Sequence, residues 1–117
     1  MYKLVILIEY DEGQKQLDDF WSQFLYHAEQ MPGLLKETTS RVDRILYGEH
    51  HYSLVHELYF NTVETLQAAM SSPVGQAAGE VLQKITGGKM TLLLTDHREQ
   101  SLANIRKSKI KGAADDR

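Results

Sequence analysis

Apolar side chains recur along this chain with two different periods, and the switches between them mark out its elements. Tyr2 to Tyr10 is an aromatic and β-branched run closed by Asp11, Glu12 and Gly13, which predicts a strand ending in a turn. From Gln14 to Met31 the period lengthens. Leu17, Phe20, Trp21, Phe24, Leu25, Ala28 and Met31 recur at steps of three and four, which gathers them on one helix face, and Pro32-Gly33 stops that helix. Leu35 to Tyr47 is more polar and only loosely alternating, as an edge strand is. Gly48, Glu49 and His50 then make a turn, and His51 to Phe60 alternates as a central strand does. Asn61 with Glu64 three residues on predicts an N-cap and its reciprocal partner for a short helix through Leu66 and Met70. Ser72 caps a second helix with Pro73 at its first position; Val74, Ala77, Ala78, Val81, Leu82 and Ile85 form its buried stripe, and Gly87-Gly88 ends it. Lys89 to His97 is a last strand.

The order strand, helix, strand, strand, helix pair, strand predicts an α+β chain: the ferredoxin-like βαββαβ unit, a four-stranded antiparallel sheet with helices on one face. Each strand has two unequal rows. Tyr2, Leu4, Ile6, Ile8 and Tyr10 are all apolar, whereas Lys3, Val5, Leu7 and Glu9 are mixed; on the third strand Tyr52, Leu54, His56, Leu58 and Phe60 stand against Ser53, Val55, Glu57 and Tyr59. The richer row belongs under the helices. The mixed row still carries Val5, Leu7, Val55, Tyr59 and Leu93, too much hydrocarbon for a lone sheet to leave in water. A second copy packed face to face is the natural cover, which predicts a homodimer with a barrel between subunits.

Composition narrows the function classes. The 117 residues have the length of one domain, and the absence of cysteine excludes disulfides, thiolate metal sites and thiol nucleophiles, with the cytoplasm as the default compartment. No apolar run is long enough to cross a membrane, and the start of the chain has no cleavable signal pattern. A net charge of −3 argues against a nucleic-acid binder. That charge is uneven: residues 1–97 hold seven basic against thirteen acidic side chains, residues 98–117 six against three. The chain therefore divides into a domain, 1–97, and a basic tail or arm, 98–117, in which Leu102, Ile105 and Ile110 interleave the charges. This segment is either a solvated tail or a contact for an acidic protein partner.

The stretch SPVGQAAGEVLQKITGG at 72–88, with ELYF at 57–60 before it and MTLLL after it, resembles the EthD family, as do Tyr2 to Tyr10 and MPGL at 31–34. The resemblance spans about residues 2–97, and its most specific part is Ser-Pro-x-Gly-Gln. It implies a dimeric α+β barrel, a small organic ligand, and an association with oxidative degradation; relatives in the wider barrel group are cofactor-free oxygenases and lactone isomerases. Many relatives carry a histidine in the first helix, about two turns before the Pro-Gly stop and usually followed by a proline. Phe24 holds that place here. His27 lies one turn later, with no proline before Pro32.

Of the five histidines, His27 and His56 are the candidate catalytic residues. His27 falls on the margin of the apolar helix face, and His56 lies mid-strand in the helix-facing row, so the two can line one pocket with Trp21, Phe24, Tyr2 and Met90 as ligand-binding residues. Asp96, at a strand end, can orient an imidazole. The plainer alternatives are a helix-edge histidine in water and a core histidine satisfied by a backbone carbonyl. No metal site is expected, because His51 and His56, five apart on the strand, point to opposite faces, and His50 belongs to the turn before it. Ser71 and Ser72 belong to a helix cap, not to a nucleophile elbow. Gly75 and Gly79 fall within a helix, so they form no phosphate loop; they are expected to permit close helix–sheet approach.

Two functions remain open beside a third reading, a purely structural dimer. One is a homodimer that binds a small hydrophobic or aromatic compound and, without a cofactor, acts as an oxidoreductase or isomerase with histidine as proton acceptor. The other is a non-catalytic accessory or binding subunit of a degradative oxygenase system, contacting its partner through residues 98–117.

Overall fold

A computed structural model describes residues 1–9 and 15–103. Strands β1 (Tyr2–Glu9), β2 (Lys36–Arg41), β3 (Tyr52–Phe60) and β4 (Met90–Asp96) form one antiparallel sheet in the order β2-β3-β1-β4. Helices α1 (Lys15–Ala28), α2 (Val63–Ser71) and α3 (Pro73–Thr86) complete the ferredoxin-like α+β order read from the sequence. Tyr10 and residues 104–117, most of the basic tail, lie outside the described residues.

The register bears out the two-row reading. Opposite neighbours Leu4 and Leu58, Ile6 and His56, and Ile6 and Leu92 share the helix-facing side. There Leu4, Ile6, Ile8, Leu58 and Phe60 pack with Leu17, Phe24 and Ala28 of α1, Leu66 and Ala69 of α2, and Ala78, Leu82 and Ile85 of α3. The helices do not reach over the edge strand: Leu92 and Leu94 on that same side remain 43% and 46% exposed.

Several boundaries differ from the sequence reading. The cap of α2 is Thr62, one residue after the expected Asn61: Thr62 has extended backbone, and its hydroxyl accepts from the Thr65 amide at 3.1 Å. α1 ends at Ala28, and Gln30 and Met31 close the chain in tighter turns onto the carbonyls of His27 and Ala28. β2 stops at Arg41, after which Val42 adds one ladder bond to Ser53 and Asp43 and Arg44 point into water. Gly75 serves a different neighbour from the one expected. A Cβ there would overlap the carbonyl oxygens of Ala69 and Met70, so it permits the tight α2–α3 junction and not a helix–sheet approach; Gly79 has nothing within 4 Å of where its Cβ would sit.

On the opposite, mixed side of the sheet, Tyr59 is buried by the chain's own polar side chains. Lys3 and Lys36 lie 5.4 Å and 4.6 Å from its ring centroid, and His97 meets it edge-on at 5.3 Å. The Tyr59 hydroxyl donates to Glu57 at 2.7 Å, and Lys3 Nζ pairs with the same carboxylate at 3.1 Å. Leu93 on this side is 42% exposed, and Leu7 and Val55 are half-buried. Among the described residues no helix is long and apolar enough to cross a membrane.

Candidate functional site

His56 is wholly buried, and its position follows from β3 alternation: it lies between Leu54 and Leu58 in the row that must face α1. Trp21 and Phe24, one helical step apart on α1, meet its ring edge-on at 5.2 Å and 5.8 Å and pack on each other at 4.8 Å. A buried imidazole needs partners for both nitrogens, and β2 supplies them from the facing row. Thr39, directly opposite His56, places its Oγ1 2.7 Å from Nδ1, and Glu37, one alternate position along, places Oε2 3.3 Å from Nε2.

The charges in this array are set by burial. Desolvation brings His56 down from 6.5 to about 4, outweighing the nearby carboxylates of Glu29 and Glu57, so the ring is neutral at pH 7. Glu37 moves the other way, from 4.5 to about 7, because it is partly buried and shares a hydrogen bond and a charge repulsion with Glu29, just past the end of α1. The consistent proton assignment is a chain. The Thr39 hydroxyl donates to Nδ1, Nε2–H donates to Glu37, and the protonated Glu37 carboxyl donates to Glu29. Such an array can pass a proton between Glu37 and the imidazole.

Beside it lies an apolar cavity of about 190 Å3. Its wall includes Leu4, Ile6, Phe24, Leu58, Leu82 and Leu92. Ile6 is the cross-strand neighbour of His56 and Phe24 touches its ring, so one layer of side chains separates the imidazole from the cavity.

The structure thus brings together His56, Trp21 and Phe24. Among the described residues no hydrogen bond or ring contact joins His27 to His56. His27 stands half-buried in the last turn of α1, with its ring 5.4 Å from that of Tyr26, and neither histidine is part of the cavity wall. Tyr2 and Met90 are partly buried against the core, away from the cavity wall. Asp96 pairs at the strand end with Arg98, 3.0 Å away, and not with an imidazole. Sequence reasoning missed Glu29, Glu37 and Thr39. The signal available was the alternation of β2, which puts Glu37 and Thr39 on the side of the sheet facing α1. Among the described residues no group of His, Asp and Glu has the arrangement of a metal site.

A ferredoxin-like sheet carrying a buried imidazole and an apolar cavity beneath its helices defines the class. The structure is similar to that of an EthD-family protein from Bacillus halodurans C-125, with a TM-score of 0.77 and 28% identity over 84% of this chain and 99% of that one. The EthD resemblance read from the sequence therefore holds across the described fold. The fold is also shared, at 18% identity and a TM-score of 0.61, with a dimeric ferredoxin-like protein from Jannaschia sp. CCS1, over 82% of this chain and 97% of that one. SnoaB, a cofactor-independent oxygenase from Streptomyces nogalater, shares it at 14% identity and a TM-score of 0.59, over 86% of this chain and 94% of that one. No family profile matches the chain, and no curated protein does.

Proposed function

We propose that the protein is a cytoplasmic homodimer that binds a small apolar or aromatic molecule between helices and sheet and acts on it, without a cofactor, as a monooxygenase-type oxidoreductase or an isomerase. The observation that carries this reading is the double membership of Phe24, in the wall of the cavity and in the ring cluster on His56. A turn of that one side chain puts a ligand against the proton-handling array. In the proposed step a proton leaves an activated carbon acid or phenol for His56 Nδ1, directly or through the Thr39 hydroxyl, while the Nε2 proton passes to Glu37 and Glu37 hands its own proton on to the Glu29 carboxylate. The ring ends neutral and the substrate becomes an electron-rich anion, which rearranges or reacts with dioxygen; the oxygen step follows the EthD resemblance.

Thermal melting with a panel of small apolar aromatics tests the binding. Ligands that fit raise Tm progressively with concentration, and no rise with any of them removes the reading. His56→Gln is expected to keep that rise and lose turnover by roughly 100-fold or more, the usual worth of a positioned acid–base group; undiminished turnover removes the array from the mechanism. Light scattering tests the dimer, with a mass near twice the 13.4 kDa of the chain expected and a monomer at micromolar concentration contradicting it.

One observation favours a second reading, a non-catalytic accessory or binding subunit of a degradative oxygenase system: no titratable side chain lines the cavity. In that case the protein binds without turnover, and truncation after His97 releases a partner while leaving the homodimer intact.

A further inference from the structure

We propose that Gly79 is the doorway of the apolar cavity, and that the cavity admits one uncharged molecule of about the size of a single aromatic ring. This rests on the small-molecule reading above and adds the entry, size and charge of the ligand. The wall divides by exposure. Leu4, Ile6, Phe24, Leu58 and Leu82 are buried and form its floor; Met70, Gln76, Gly79 and Leu92 are exposed and form its rim.

A glycine inside a helix weakens it relative to alanine, so each one in α3 calls for a reason. Gly75 has one in the Ala69 and Met70 carbonyls. Gly79, one turn later, has no steric reason within the chain: a Cβ would meet nothing within 4 Å, although the residue is part of the cavity wall. Because Gly79 is both exposed and part of the wall, a side chain added there would extend into open space at the cavity's rim. Its volume, about 190 Å3, compares with the roughly 150 Å3 of an apolar protein cavity that takes up benzene. No charged side chain lines it, and its one polar side chain, Gln76, is at the rim with its amide nitrogen donating to the Ser71 carbonyl. A charged ligand would enter without a partner.

The test uses the full chain, toluene and benzoate as probes, and Trp21 as reporter. Trp21 is the chain's single tryptophan and lies 4.8 Å from the Phe24 ring of the wall. Toluene is expected to change its fluorescence saturably and benzoate is not. Gly79→Leu is expected to weaken toluene binding at least tenfold, and Gly79→Ala to raise Tm while slowing toluene association. Gly79→Leu protein that is folded and binds toluene as the unaltered protein does overturns the doorway and leaves the binding reading standing. If Gly79→Leu does not fold, Gly79→Ala decides, and an unchanged association rate overturns the proposal. Benzoate binding as tight as toluene overturns the charge limit. A protein that is stabilised by larger aromatics but ignores toluene overturns the size limit, whereas no response to any ligand defeats the binding reading itself.

Discussion

Gly75→Ala is expected to lower the unfolding free energy by about 2–4 kcal/mol, read from urea denaturation, because it breaks a junction rather than filling a space. Ser72 ends α2 and begins α3 at once. Its hydroxyl donates to the Ala69 carbonyl at 2.6 Å and accepts from the Gly75 amide at 3.1 Å, while its own amide donates to Ala69 at 3.3 Å. A Cβ at Gly75 would overlap that Ala69 oxygen and lie 2.8 Å from the Met70 oxygen. Both obstacles are backbone, so relief requires α3 to move off α2 and lose the cap, and with it the packing of Ala78 and Leu82 on the sheet. A loss below about 0.5 kcal/mol, the range of an ordinary surface change, contradicts this account of the junction.

Glu37→Gln is expected to add a pH dependence of stability that the Glu37–His56 pair cancels in the native chain. Between pH 4.5 and 6.5 the buried His56 and the partly buried Glu37 oppose each other. Glu37 is raised in the fold from 4.5 to about 7, so its contribution is full below pH 4.5 and is lost as pH rises toward 7. His56 is lowered from 6.5 to about 4, so its contribution is full above pH 6.5 and is lost as pH falls toward 4. In this window the unfolded chain carries the proton on His56 and the folded chain carries it on Glu37, so the number of bound protons scarcely changes on unfolding. Glutamine keeps an acceptor for Nε2–H but removes the falling contribution. Relative to the native chain, the stability of Glu37→Gln should then climb by roughly 3 kcal/mol from pH 4 to pH 6.5, the worth of a 2.5-unit difference. The groups facing this pair are Glu29 from the end of α1, Thr39 from β2 and, on the far side of β3, Glu57. Parallel profiles for the two proteins contradict the coupled assignment.

The fold was legible because its determinants are periodic. The rows of β1 and β3, the three-and-four spacing of α1, and the Ser72-Pro73 start and Gly87 stop of α3 each dictate one structure locally, and they agree with one another. Thr62 displaced Asn61 as cap because both residue types fit that role and only the entry angle of the chain decides between them. The site was half legible. His56, Trp21 and Phe24 could be gathered because each lies on an element's apolar row, whereas Glu37 and Thr39 sit on a polar edge strand whose register against β3 no local pattern fixes. Glu29 was hidden for a different reason. It joins Glu37 only because α1 ends above β2, a tertiary fact with no periodic trace. His27 shows the converse: its helical-wheel position leaves its direction open, and the structure turns it toward Tyr26.

The claim that a small apolar molecule enters between helices and sheet is tested most directly by the methionine methyls. The chain has four methionines, of which Met31 and Met70 line the cavity while Met1 and Met90 do not. With methyl-labelled methionine and toluene as probe, NMR is expected to show ligand-to-methyl Overhauser contacts at Met31 and Met70 and none at Met1. Contacts confined to Met1 or Met90, or none at saturating toluene, would contradict the account.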